Sequence, residues 1–294
     1  MVKMTTGDHR VDEMLMDKKT NEVPFNDSVF TKSSAVLDVF LQQFDKTWHQ
    51  GTEEKKFSFI PPENKNGEDD GKVEYLYNDE YFRCDNFTNE HEGAHVLFAG
   101  CSETEGVGGN LDACWAYMTY KELEKTHKMS GYFNIGKSGF GWQKIITNTL
   151  IYIKKYGVPN YLFIILPDNN RNFKWHEEKQ CWGYIQKWDL DVLSHQRNLI
   201  DLVVSWRLFL KFCELQNIKI LWTTWAKDEE YYREANLDYF FDVNHNAFRN
   251  SINALTSSEM DRTDLEKKRD GHSGFAMHKA WSWAFLEEIN KRWK

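Results

Sequence analysis

Six consecutive apolar residues, Tyr161–Leu166 (YLFIIL), lie between Pro159-Asn160 and Pro167-Asp168, and they constrain the fold more than any other stretch. A strand that is apolar on both faces has no face to give to water. It belongs in the middle of a sheet covered on both sides, which is the setting of a central parallel strand. Val96–Ala99 (VLFA) has the same character, Ile218–Thr223 (IKILWT) reads as a further strand, and Tyr132–Ile135 as a shorter one. Segments of helical spacing alternate with these runs. Leu111–Lys125 puts Leu111, Trp115, Met118 and Leu123 on one side, with Asn110 or Asp112 as its N-cap. Trp142–Tyr156 does the same with Trp142, Ile145, Ile146, Leu150 and Ile153, and Gly157 closes it. Arg197–Gln216 and Met277–Trp293 complete the set. Strand and helix in alternation predict an α/β fold, with a mostly parallel central sheet, right-handed crossovers and helices on both faces.

The first 72 residues lack this alternation and read as an N-terminal extension with a linker; residues 73–294 form the main domain. Within the extension, Ser33–His49 has helical spacing and Phe57–Ile60 suits a short strand. Residues 61–72 (PPENKNGEDDGK) are polar and punctuated by glycine, as a linker is. The net charge of −8 argues against a nucleic-acid partner, which calls for a basic surface. No apolar run reaches the roughly 18–20 residues of a membrane helix, and the N-terminus shows no apolar core of a signal peptide. A soluble protein without a membrane partner is therefore expected. Five widely spaced cysteines without a Cys-x-x-Cys motif suggest neither a disulfide framework nor a zinc site. His91 and His95, flanked by Glu90 and Glu92, are too few for a metal centre without further ligands, so no metal is expected.

Chemistry gathers where the strands end. After Val96–Ala99 come Gly100-Cys101-Ser102 and a loop containing Gly106, Gly108 and Gly109; after the second strand comes Gly139; after the third come Asn169 and Asn170. In a parallel sheet these junctions share the carboxyl edge, where α/β proteins place their sites. Asp270 and His272 stand just before the last helix. A hydroxyl, a glycine N–H, an amide, an imidazole and a carboxylate are the groups needed for acyl transfer: nucleophile, oxyanion donors, base and orienting acid. Cys101 reads as a small buried residue, and His278 as a structural residue of the last helix.

In this order the set resembles the SGNH (GDSL-like) hydrolases, whose signature blocks run Ser, Gly, Asn, then Asp and His. Gly100-Cys101-Ser102 is similar to the first block, with Cys101 where Asp is commonest. Asn134-Ile135-Gly136-Lys137-Ser138-Gly139 is similar to the second, and Pro167-Asp168-Asn169-Asn170 to the third. Asp270-Gly271-His272, followed by Gly274 and His278, is similar to the last. The segment VEYLYNDEYFRCDNF also resembles one that precedes the first strand in some bacterial and phage-encoded members. The resemblance spans roughly Val73–Trp283. It implies an SGNH/flavodoxin-like three-layer sandwich and a catalytic set of Ser102, His272 and Asp270. Ser102, Gly139 and Asn169 would hold the oxyanion, with Asn170 a rival for the last place.

The sequence departs from the pattern twice: one residue rather than two separates Asp270 from His272, and the third block carries Pro167 in place of its glycine. A Ser–His dyad supported by a backbone carbonyl is the alternative working unit. Residues 172–196 are rich in aromatics, with Trp175, Trp182 and Trp188 near Arg171. Rings of this kind stack on sugar faces, so the expected substrate is a small ester or an acylated carbohydrate. The expected activity is that of a serine esterase or deacetylase needing no cofactor. An O-acyltransferase using the same residues remains open. So does a weak or inactive glycan-binding module, and with it a location on a phage particle rather than in the cytoplasm. The sequence leaves the oligomeric state undetermined.

Overall fold

A computed structural model describes residues 56–59, 73–167, 171, 173–176, 181–184, 192–225, 239–241 and 273–293. The chain divides into two compact units, Met1–Lys46 and Thr47–Lys294, and every described residue belongs to the second. The expected helix Ser33–His49 and linker 61–72 lie outside the described residues.

Strand β1 (Lys56–Phe59) pairs antiparallel with β2 (Val73–Leu76), so the linker is the connection between the two. The chain then reaches β3 (Val96–Gly100), a one-turn helix α1 (Ser102–Glu105), a single 3-10 turn (Leu111–Ala113) and α2 (Trp115–Glu124). β4 (Phe133–Asn134), α3 (Trp142–Tyr156) and β5 (Tyr161–Leu166) follow. A small antiparallel pair, β6 (Phe173–His176) and β7 (Cys181–Tyr184), precedes α4 (Val192–Leu215), β8 (Lys219–Thr224) and α5 (Phe275–Arg292).

The central sheet has the order β4-β3-β5-β8, and all its pairings are parallel. The fold is α/β, as the apolar runs predict. From β3 the chain moves to one side for β4 and to the other for β5, so β3 stands at the point where the strand order reverses. A crevice opens at the carboxyl end of such a strand. Side chains of one parity (Val96, Phe98, Phe163, Ile165, Leu221) join Trp115 of α2 and Trp281 and Phe285 of α5 in one core cluster. The Trp115 and Phe285 rings stack with centroids 4.6 Å apart. On the other parity Trp222 meets Trp206 of α4 edge-on at 5.1 Å.

Three local expectations change. The helix after Ser102 starts at once rather than at Leu111, runs one turn, and stops at Gly106, whose φ of 77° only glycine adopts freely. Asn110 does not cap a helix, because its Oδ1 accepts the Glu74 N–H at 3.3 Å, and α2 begins at Trp115 instead. In α3, Trp142 and Ile145 of the expected apolar face are buried, but Ile146, Leu150 and Ile153 are only half-buried, while Asn148 and Thr149 are fully buried beside Ile151 and Tyr152. Thr149 offsets its burial by donating to the Ile145 carbonyl at 2.8 Å. Among the described residues no helix is long and apolar enough to cross a membrane.

Candidate functional site

Ser102 is the first residue of α1, directly beyond β3, and is 3% exposed. The turn is tight because of two glycines. A Cβ on Gly100 would lie 1.9 Å from Thr104 Oγ1, and one on Gly136 would lie 2.7 Å from Thr104 Cβ. Thr104 therefore fills the space that both glycines leave, and α1 wedges between the ends of β3 and β4. Any side chain at either position would push the turn that carries Ser102 off the sheet.

The second junction is drawn to the first. Lys137 N–H donates to the Gly100 carbonyl at 3.3 Å, and Phe140 N–H closes a turn on the Lys137 carbonyl at 3.1 Å. Gly139 occupies this turn with φ 81°. The Ser138 N–H donates to Glu105 Oε2 at 2.6 Å, and Tyr77 O–H donates to Glu105 Oε1 at 2.9 Å. Lys137 Nζ lies 3.7 Å from the same carboxylate, donates to the Tyr81 carbonyl at 2.8 Å and sits over the Tyr77 ring. Burial pulls the Lys137 pKa below the ordinary lysine value, while Glu105 works in the opposite direction. Both partners are buried, so the pair is bound to its hydrogen bonds: removing one member would strand the other.

The arm before β3 braces this assembly. Arg83 is 1% exposed and donates to the carbonyls of Gly106 (2.7 Å), Glu105 (3.4 Å) and Glu74 (2.9 Å) while its guanidinium lies over the Tyr75 ring. Tyr75 O–H accepts the Gly108 N–H at 2.6 Å. The glycine loop after Ser102 is thereby fastened to β2.

At the other end of the chain, the Ser273 N–H donates to both Glu103 carboxylate oxygens, at 3.2 and 3.4 Å. His278, in the first turns of α5 and 1% exposed, accepts the Trp115 N–H on Nδ1 at 3.3 Å. Its proton is thereby assigned to Nε2, which points at Glu103 Oε2 from 3.7 Å. His278 has the structural role expected of it. The residue following Ser102 and the residue following His272 are thus linked across 170 positions of sequence.

Cys101 is fully buried and accepts the Trp225 indole N–H at 3.4 Å. Burial pushes its thiol pKa up, which suits the structural reading. Arg171 packs its guanidinium 5.2 Å from the Trp225 ring centre, and its carbonyl passes so close to Gly141 that a Cβ there would lie 1.8 Å from it. Arg171 therefore crosses the edge between the Gly139 turn and the end of β8. His91 and His95 stack at 3.6 Å, away from these junctions. Each ring binds an oxygen, the Tyr156 carbonyl at 2.8 Å and the Tyr152 hydroxyl at 2.7 Å respectively. Burial and the neighbouring His91 lower the His95 pKa to about 3.

Of the expected site residues, Ser102, Gly139 and Arg171 come together at the carboxyl edge. Trp175 and Trp182 are register partners in the β6–β7 pair. Asn169, Trp188, Asp270 and His272 lie outside the described residues. Glu103, Glu105, Arg83 and Trp225 belong to the assembly without having been singled out in the sequence. The available signal is two acidic residues within the turn that begins at Ser102, which become a strong sign only when buried, at 6% and 3% exposure. Lys144, in the first turn of α3, is similarly unannounced: it is 2% exposed and burial holds its pKa down to about 7. No protein-family model matches the chain, and no curated protein matches it.

Proposed function

We propose that the chain is a serine ester hydrolase of the SGNH type, with a three-layer main domain and an N-terminal extension. One observation carries this reading: the Glu103 carboxylate holds the Ser273 N–H. The two residues tied by that bond immediately follow Ser102 and His272, the nucleophile and base that the sequence resemblance implies. A short tether of this kind on both sides is what a nucleophile–base pair needs to stay within hydrogen-bond reach.

In this mechanism His272 takes the proton from Ser102 Oγ as the oxygen attacks the ester carbonyl. The negative charge that develops on the carbonyl oxygen is met by the Ser102 and Gly139 N–H groups and the Asn169 side chain. His272 then returns the proton to the leaving alcohol, and water attacks the acyl-enzyme with His272 again as base. Asp270 orients the imidazole. Arg171, Trp175, Trp182 and Trp188 are the substrate-binding residues of this proposal, and aromatic rings of this kind favour an acylated sugar. The depth of Ser102 supports the reading as well, because shielding from bulk water strengthens every polar contact to the oxyanion.

Two measurements test the proposal. The parent chain should hydrolyse p-nitrophenyl acetate and take up a fluorophosphonate at a single serine. Ser102→Ala should abolish both, with a loss on the order of 10⁶ in turnover for removal of such a nucleophile. Labelling that survives in Ser102→Ala, or a parent that neither turns over nor labels, would overturn it.

A further inference from the structure

Helix α4 is apolar on two opposite sides. Leu202, Trp206, Phe209, Leu210 and Cys213 are buried against the domain. On the far side Ile200, Val204, Leu208 and Leu215 are 63%, 53%, 65% and 46% exposed. A lone exposed leucine means nothing, but a row along one helix face marks a surface that another body covers.

The row has an internal pattern. At 3.6 residues per turn, positions 197, 201, 204, 208, 211 and 215 fall on one line opposite Trp206, with steps of four and three in alternation. Those alternating steps are the spacing of a coiled-coil seam. Reading along it, the residues are Arg197, Asp201, Val204, Leu208, Lys211 and Leu215. When the row is laid antiparallel on itself about a two-fold axis level with Trp206, its four central positions are self-complementary. Val204 meets Leu208 of the other copy, and Asp201 meets Lys211. The symmetry makes each match twice. A parallel pairing would oppose Asp201 to Asp201 and Lys211 to Lys211, so charge selects the antiparallel arrangement. Lys211 bonds Glu214 on its own helix at 3.0 Å, but both are about half exposed, and exposed pairs of this kind contribute little. The Lys211 head is therefore available to a partner.

We infer that the outer face of α4 is a homodimer interface in which two copies pair this helix antiparallel, with Asp201 of each opposite Lys211 of the other. The helix spans 24 residues, or about 36 Å, long enough for the whole row to take part. A two-fold contact closes on itself, so the assembly stops at two. The inference stands apart from the chemistry at Ser102, which lies at the edge of the sheet.

Sedimentation velocity on the full chain over about 1–100 μM tests it. The parent should sediment as a dimer in reversible exchange with monomer. Asp201→Lys alone and Lys211→Asp alone should each weaken the dimer about tenfold or more, because each puts two like-charge pairs at the seam. The double variant D201K/K211D should return to within about threefold of the parent. Leu208→Glu should give monomer with an unchanged circular dichroism spectrum, since the side chain it replaces is on the surface. A parent that stays monomeric over the whole range, one that grows beyond two copies, or charge reversals that fail to weaken and then rescue the dimer would overturn the interface.

Discussion

Glu105→Gln is the substitution that most directly tests how the Ser102 turn and the Gly139 turn are held together. The carboxylate accepts from Ser138 N–H and Tyr77 O–H with different oxygens and faces Lys137, all in a buried setting. The amide of glutamine has one oxygen, so one of the two donors must face an NH₂ group instead. Losing one charge-assisted bond costs about 1.5–3 kcal/mol. Lys137 also loses its counter-charge, and an ion pair broken at depth typically costs about 3–5 kcal/mol in all. The two figures overlap, because the hydrogen bonds are part of the pair, so the expected total is about 3–5 kcal/mol.

The pH dependence carries a further signature. Burial already sets the Lys137 pKa below the unfolded value, and removing Glu105 lowers it more. Between its folded and unfolded pKa values a lysine binds more protons when unfolded, so stability rises with pH across that window. The deficit of Glu105→Gln should therefore shrink as pH climbs towards the free lysine value of about 10.4. Urea unfolding of the parent, Glu105→Gln, Lys137→Met and the double variant gives the coupling directly. The double variant should recover much of the loss, because it leaves no stranded charge. A Glu105→Gln cost below about 1 kcal/mol, the level of a surface pair, would refute the argument.

Two other outcomes follow from the structure. His95 is held neutral in the folded state, so its contribution is complete above the unfolded pKa of about 6.5 and is lost as pH falls below it; with a folded value of about 3, moving from pH 7 to pH 5 should cost about 2 kcal/mol, and His95→Phe should flatten that limb of the acid-unfolding curve. A limb of unchanged steepness in the variant would contradict this. Asp270→Asn should lower ester turnover by up to about 10⁴ if Asp270 orients His272, because the imidazole would then favour the wrong tautomer; turnover within about threefold of the parent would leave a Ser–His dyad as the working unit.

The elements with the most one-sided local chemistry were legible without coordinates. β5 and α3 have the limits that their apolar runs and their Gly and Pro boundaries predict, and β3 and β8 differ by a single residue at each end affected. A continuous apolar run admits few settings, so the parallel α/β sheet was determined by the sequence alone. The same holds for the meeting of Ser102 with the Gly139 turn, because parallel strands bring their carboxyl ends to one edge. Tertiary structure decided what depends on partners far along the chain. Glu103 and Glu105 carry no strong sequence signal of their own; Ser273, His278, Ser138 and Lys137 close around them, and no local pattern encodes a bond across 170 residues. Asn110 is a good cap by residue type, yet the Glu74 amide claims its side chain first. The buried face of α3 is legible only in part for the same reason. Hydrophobic spacing puts Trp142, Ile145, Ile146 and Leu150 on one face; the packed domain buries the first two, leaves the others half-buried and buries Asn148 and Thr149 instead, because burial follows the shape of the surface that a helix docks against as well as its own composition.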